Sequence, residues 1–526
     1  MAALEGRSRR LLDTAAGLVL LTPALLFVVG WPLPLQDGLG HIGLGGGIWW
    51  HLNAPDALDA PLRFQGWLGP NRLLYLAVVP FSVLPSPVWA VQSGFVAAFG
   101  GFGLATGYAT RALGYDWRIS VLVVPSVLGR PWACGFYPNA LALFPLFVLC
   151  LACFSTSRAR GGWAAAAGVF AILTHVFVGY VALGFFALSI LVTVVQDRRI
   201  PWLACGSLGG LLVLSSFLRA PDAGAAMSDG ASVVEAVYAA LGPHEVPPLR
   251  LWQWMSAWHT AAIVDDYAQA VWLIGLAGLL GLAFYRGRGH RLLAGALFGV
   301  CGLGVALLDE KIGPPVNWWG GWLRLPSIMT LVAAAFAATA FRTRSDTELS
   351  GPVVPSRAVA VLSAAALGGA FVLTMSLSGL VIRASRAEYA GLSRLIEAAP
   401  PKKRVCSMWY PGGHLKGFPG SSNWYAGNLY FASKGGNPAH SLMGNASTPF
   451  YRAQHGARGP GWGQARGFNY ARHGGWCELF LVRTLDRRPE LPFHRTNGAD
   501  KVQLLGERGH WRLYLHRGLS PPGETP

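Results

Sequence analysis

The sequence predicts a polytopic α-helical membrane protein of about 11 transmembrane helices, followed by a C-terminal extracytoplasmic α+β domain. Three observations predict it. The 526 residues are 53% hydrophobic and only 13% charged, with a mean hydropathy of +0.40, whereas a soluble chain carries about twice that charge. Apolar runs of spanning length recur as far as residue 382, and the arginine-rich hinges between them fall on one side of a single alternation. From residue 383 onward no run is long enough to span, and the composition turns to Gly, Arg, Trp, Tyr and Asn.

The first run, Leu11 to Trp31, supplies the roughly 20 apolar residues a spanning helix needs, behind Arg7, Arg9 and Arg10. It is longer than the roughly 7–15 apolar residues of a secretory signal and has no clear small-x-small cleavage site after it. It therefore reads as a retained helix entering from the cytoplasm. Asn71 to Leu84 is short and runs into Pro85-Ser86-Pro87, so it reads as an interfacial helix on the outer side. The spans are then 11–31, 87–110, 118–130, 139–156, 163–177, 178–196, 200–218, 267–285, 291–308, 324–341 and 357–382.

The hinges Arg111 to Arg118, Ser157 to Arg160, Asp197 to Arg199, Tyr285 to Arg291 and Arg342 to Ser345 all fall inside, as basic loops do. The outer side receives loops 32–86, 219–266 and 309–323, the turn 130–138, and the tail. The chain thus divides into a membrane domain, 1–382, and an extracytoplasmic soluble domain, 383–526, in the inner (cytoplasmic) membrane with a cytoplasmic N-terminus. The net charge of +17 fits topology signals and contact with anionic membrane lipids. Nucleic acid is not an expected partner, since no basic, aromatic-interleaved module is present.

In the tail, Ala384 to Ala399 carries Tyr389, Leu392, Leu395 and Ile396 at helical spacing, and Pro400-Pro401 ends the helix. Glu478 to Val482 and Trp511 to His516 alternate as strands do. Cys134, Cys150, Cys153, Cys205 and Cys301 lie in or beside apolar spans, where a small hydrophobe packs well. Cys406 and Cys477 are the two in the tail; an oxidising exterior permits a disulfide between them, but sequence does not supply the distance. No HExxH is present, and the one CxxC pair, Cys150 and Cys153, lies inside an apolar span, so a structural zinc site is not expected.

Polar groups concentrate in the outer loops. Asp37 and His41 stand four apart, on one face if helical and otherwise in a polar loop that turns at Asp37-Gly38. Arg63 and Arg72 suit a phosphate or lipid headgroups. Tyr137 and Asn139 close the second outer turn, and His175 lies among apolar residues at an outer helix junction, facing either a cavity or a neighbouring helix. Loop 309–324 adds Lys311, Asn317, three tryptophans and Arg324, read either as part of a site or as an aromatic belt with a snorkelling arginine.

With an acidic residue and a nearby His after helix one (Asp37, His41), an interfacial helix (71–84), a second outer turn (Tyr137, Asn139) and an extracytoplasmic tail ending Gly509-His510-Trp511-Arg512-Leu513-Tyr514, the chain resembles the GT-C superfamily of membrane glycosyltransferases. The likeness is to its protein-mannosyltransferase-like and aminoarabinose-transferase-like bacterial branch. That resemblance implies transfer of a sugar from a polyprenyl-phosphate donor to a glycan, lipid or protein acceptor. It implies that Asp37 is the general base, that Arg63, Arg72, Lys311 and Arg324 face the leaving phosphate, and that His41 or His175 orients a substrate. The chain departs from the family at Gly38, where a second acid often stands, and has no DxD pair, so a divalent metal cofactor is not favoured. A non-catalytic envelope protein that binds glycan or anionic lipid is the alternative, ahead of a transporter.

Overall fold

The computed structural model describes residues 2–33, 38–58, 62–64, 71–129, 135–155, 159–197, 202–217, 386–409, 426–439, 450–452, 468–484, 491–494 and 498–517, with isolated positions elsewhere, chiefly near 66–69, 327–338 and 372–383. The expected spans 267–285 and 291–308, the loops 219–266 and 309–323, and most of 324–341 and 357–382 lie outside the described residues. Helices α1 (Ala2–Val29), α2 (Gly38–Asn53), α3 (Leu73–Leu76), α4 (Pro87–Ala112) and α5 (Val124–Val127) are followed by α6 (Tyr137–Phe154), α7 (Arg160–Thr174), α8 (Val176–Asp197) and α9 (Trp202–Phe217). Four described helices are long and apolar enough to cross a membrane: the Arg10–Val29 part of α1, α4, α6, and α8 to Val195. Leu11, Leu18 and Val28 of α1, Leu104 and Tyr108 of α4, and Leu191 and Val195 of α8 are exposed on them, an apolar surface of the kind that marks a lipid or partner face.

Helix α6 is apolar all round and almost wholly buried, with α4, α7 and α8 packed about it. At one end of the helices Asp13 pairs with Arg118 at 2.7 Å, Ser155 Oγ donates to Leu113 O, and Ser157 Oγ donates to Ala112 O. The hinges 111–118 and 155–160 therefore meet. At the other end Phe27 lies 5.1 Å, ring to ring, from both Trp132 and Tyr137.

Three expectations need correction. The stretch expected to span as 118–130 is a 3-10 helix, Trp117–Val123, continued by the single α turn of α5; at about 2.0 Å per residue the tighter coil still reaches from the Asp13 end toward the Phe27 end. The interfacial helix expected over 71–84 is only α3 and a 3-10 turn, Val79–Phe81. Pro80 has no N–H to donate and disfavours α geometry at Val79. Loop 32–86 also contains a helix, the buried α2, in which six of 16 residues are glycine. Glycine costs about 1 kcal/mol relative to alanine in a helix, so packing rather than propensity holds α2.

The tail is a mixed five-stranded sheet in the order β3-β2-β5-β7-β6, from Asn437–Pro438, Arg404–Trp409, Leu479–Arg483, Trp511–His516 and Val502–Arg508. Its β2 is parallel to β3 and β5, and β7 is antiparallel to β5 and β6. The period of two in β5 sends Leu479 and Leu481 into the core that includes Tyr389, Leu392 and Leu429, and Phe480 and Val482 into a second core with Phe468 and Phe493. Both faces are covered, which is why β5 reads as a continuous apolar run.

The tail and the 38–86 segment are built together. Helix α10 (Ala426–Lys434) packs on α2, Leu62–Phe64 (β1) pairs with Phe450–Arg452 (β4), Leu58 bridges Gly436, and Lys402 pairs with Asp56 at 2.8 Å. Cys406 and Cys477 are joined by a disulfide across a Cα separation of 5.7 Å. It closes a sequence separation of 71 residues, for which loop entropy gives about 4 kcal/mol. Replacing both cysteines with alanine is expected to lower unfolding stability by about that amount, and urea titrations with and without reductant measure it.

Candidate functional site

The expected site residues gather where α2, α3, α6 and the α7–α8 junction meet. His41, one turn into α2, is 8% exposed; its Nδ1 shares a hydrogen bond with the Tyr75 hydroxyl of α3, and its ring centroid lies 5.6 Å from that of Tyr137. Arg72, immediately before α3, is 6% exposed. Its Nη1 donates to Gly66 O at 2.7 Å, and its Nε lies 2.7 Å from where a Cβ on Gly69 would stand. Burial pulls the Arg72 guanidinium below its ordinary pKa.

His175 is the break between α7 and α8. Its backbone N–H still bonds Ala171 O, while Val176 N–H, the first of α8, donates to Asn71 Oδ1 at 3.2 Å. Asn71 does this from a left-handed backbone, φ 63°, which Asn tolerates better than most residues. One cap thus brings the residue before Arg72 against the residue after His175.

Tyr137 and Asn139 occupy the first turn of α6 and are fully buried. From the tail, helix 386–398 carries Tyr389 into electrostatic reach of Tyr137; burial first, then the Glu388 carboxylate and the Tyr137 phenol, push the Tyr389 pKa well above its ordinary value. Tyr389 therefore stays a neutral hydroxyl. Beside it, Glu388 and Arg483 form a buried ion pair.

The least expected feature is a set of buried polar atoms with no hydrogen-bond partner among the described residues: both amide atoms of Asn139, Nε1 of Trp31, Nε1 of Trp132 and Oγ of Ser126. Trp132 lies 5.3 Å from Tyr137, ring to ring, and Trp31 lies 6.2 Å from Phe27. These atoms are mostly donors, in surroundings of indole, phenol and imidazole. Such a donor set suits a hydroxyl-rich or anionic group better than a cation.

Of the sequence-predicted residues, the structure brings His41, Arg72, Tyr137, Asn139 and His175 to this region. It places Arg63 on β1 opposite Tyr451 of β4. Asp37, Lys311, Asn317 and Arg324 lie outside the described residues; Asp37 directly precedes Gly38, the first residue of α2. Among the described residues no group of His, Cys, Asp and Glu is arranged to hold a metal ion. Tyr75, Tyr389 and Trp31 went unrecognised as polar members of the site. The Arg72/Tyr75 spacing of three was a usable signal for the first; Tyr389 read only as an apolar packing residue.

No protein-family model, curated protein or solved structure matches this chain.

Proposed function

We propose that this protein is an integral-membrane glycosyltransferase that moves a sugar from a polyprenyl-phosphate donor to an extracytoplasmic acceptor. The observation that carries the reading is the set of buried polar atoms on Asn139, Trp31 and Trp132 that have no hydrogen-bond partner among the described residues, gathered about Tyr137, whose ring lies 5.6 Å from that of His41. Each such atom costs about 1–3 kcal/mol while it lacks a partner. A donor-rich surface held in place at that cost is suited to a ligand's hydroxyl or phosphate oxygens.

In the proposed reaction Asp37 takes the proton from an acceptor hydroxyl or amine as that atom bonds to the anomeric carbon. The bond from that carbon to the phosphate oxygen breaks on the opposite face, inverting the centre. The polyprenyl phosphate leaves with the electron pair, its charge met by Arg72 together with Arg63, Lys311 and Arg324. Asp37 precedes the first turn of α2, the helix that carries His41, which supports a shared site. Tail and loop 32–86 sit on the extracytoplasmic side in this reading, which the Arg-rich hinges and the Cys406–Cys477 disulfide support.

A second reading, a non-catalytic envelope protein that holds glycan or anionic lipid, is favoured by one observation. Arg72 and His41 are already engaged, with Gly66 O and the Tyr75 hydroxyl. The test is purified protein given a polyprenyl-phosphate sugar and a panel of acceptors, with released polyprenyl phosphate as readout. Wild type is expected to turn over, Asp37→Ala to lose at least about 100-fold, and Asn139→Leu to lose turnover while keeping its fold. Release by wild type no greater than in a protein-free control supports the scaffold, and equal turnover by wild type and Asp37→Ala removes Asp37 as the base.

A further inference from the structure

We propose that the groove between α1, α4 and the 3-10 helix Trp117–Val123, at the Asp13 end of the helices, is a binding site for one anionic phospholipid, with its phosphate on Arg111. The groove is shallow and open, with a volume of about 200 Å³, and is lined by Leu20, Leu104, Gly107, Tyr108, Arg111 and Trp117. It lies at the opposite end of the helices from the His41 region, so the proposal does not depend on the glycosyl-transfer reading.

The lining changes character along its length. Leu20 and Leu104 form an apolar end, while Tyr108, Arg111 and Trp117 form an aromatic and cationic end. From Leu104 to Arg111 is seven residues of one helix, about 10 Å at 1.5 Å per residue. That is the order in which an acyl chain and its headgroup follow one another. Gly107 makes the floor: a Cβ there would lie 3.4 Å from Leu20 Cδ2 and 3.6 Å from the Trp117 ring, filling the groove with protein. Leu104 and Tyr108 form open walls, 58% and 69% exposed.

Charge selects the occupant. Of the basic residues near this end, Arg118 is held by Asp13 and Asp116, and Arg160 donates to Ser155 O. The guanidinium of Arg111, in the last turn of α4, has no hydrogen-bond or ion-pair partner among the described residues. An exposed guanidinium at the mouth of an apolar groove is complementary to a phosphate whose tail lies in that groove. Trp117 and Tyr108 are the aromatic types that settle at headgroup depth.

The test uses the full-length protein in a neutral detergent, incubated with phosphatidylglycerol or phosphatidylcholine of matched acyl chains, with retained lipid counted by native mass spectrometry. Wild type is expected to retain phosphatidylglycerol about fivefold more tightly, the worth of one arginine beside an anionic headgroup. Arg111→Gln is expected to abolish the preference while leaving phosphatidylcholine retention unchanged. Gly107→Leu is expected to reduce retention of both lipids. Arg10→Gln, which removes another exposed cation outside the groove lining, is expected to keep the preference. Equal retention of the two lipids by wild type, an undiminished preference in Arg111→Gln, or an equal loss in Arg10→Gln overturns the proposal.

Discussion

Glu388→Leu is expected to destabilise the folded chain by about 3–5 kcal/mol, because it strands the Arg483 guanidinium without its counter-charge. The two side chains are 1% and 3% exposed, and the contact is two-pronged, with Arg483 Nη2 donating to Glu388 Oε2 at 3.0 Å alongside the bond from Nε. Trp511 Nε1 ties the same place down by donating to Glu388 O at 3.0 Å. A charge this deep has no water to turn to, so losing its partner costs more than the pair contributed. Glu388→Gln, which keeps an acceptor and loses the charge, is expected to fall between wild type and Glu388→Leu. The double variant Glu388→Leu/Arg483→Leu is expected to be much less damaged than Glu388→Leu alone, since apolar residues replace a buried pair with little net loss. Urea unfolding of the four proteins in one detergent measures all of this; additive losses in the double variant sink the argument. The ion pair also matters to the site. It fixes helix 386–398 on β5 next to Tyr389, the hydroxyl the tail presents to Tyr137.

How much of this was legible follows the range of the contacts. Helices α4, α6, α7, α8 and α9 lie within a few residues of their expected spans, because apolar length and the Arg-rich hinges are local signals. The tail helix and the strands Leu479–Arg483 and Trp511–His516 were legible for the same reason. Helix α2 was not: its glycines argue for a turn, and what makes it a helix is α10, nearly 400 residues along the chain. The pairing of β1 with β4 is hidden in the same way. In the site, His175 stood out as a polar residue in apolar surroundings, His41 by its spacing of four from Asp37, and Arg72 as a cation at the start of an interfacial segment. Tyr389 did not, since a tyrosine at helical spacing reads as core, and its polar neighbour Tyr137 lies some 250 residues earlier. The unpartnered state of Asn139, Trp31 and Trp132 has no sequence signal at all, because it depends on which groups fail to arrive.

Gly46→Val is expected to cost at least about 3 kcal/mol, the upper range for overpacking, because the clash is with backbone. A Cβ on Gly46 would stand 2.6 Å from Ala432 Cα and 2.7 Å from Ala432 Cβ. No rotamer relieves such a contact; only separation of α2 from α10 does. Gly43 repeats the pattern one turn earlier, where a Cβ would stand 2.7 Å from Asn428 Cβ, so the two helices touch along a glycine stripe. Against this, removing a helical glycine gains up to about 1 kcal/mol of propensity, too little to offset the clash. Gly101→Ala in α4 supplies the control, since a Cβ there meets nothing within 4 Å, and it is expected to be neutral or slightly stabilising. Separation would also break the bonds from Trp50 Nε1 to Phe431 O and Ala432 O. It would tilt the helix that carries His41, five residues before Gly46, away from Tyr75 and Tyr137. Thermal unfolding of the detergent-solubilised variants is the measurement, and a Gly46→Val protein as stable as Gly101→Ala would show that α2 and α10 do not meet in this way. The glycines that hid α2 from sequence reading are thus what let the tail close over the polar site, so one set of residues explains both the missed helix and the position of His41.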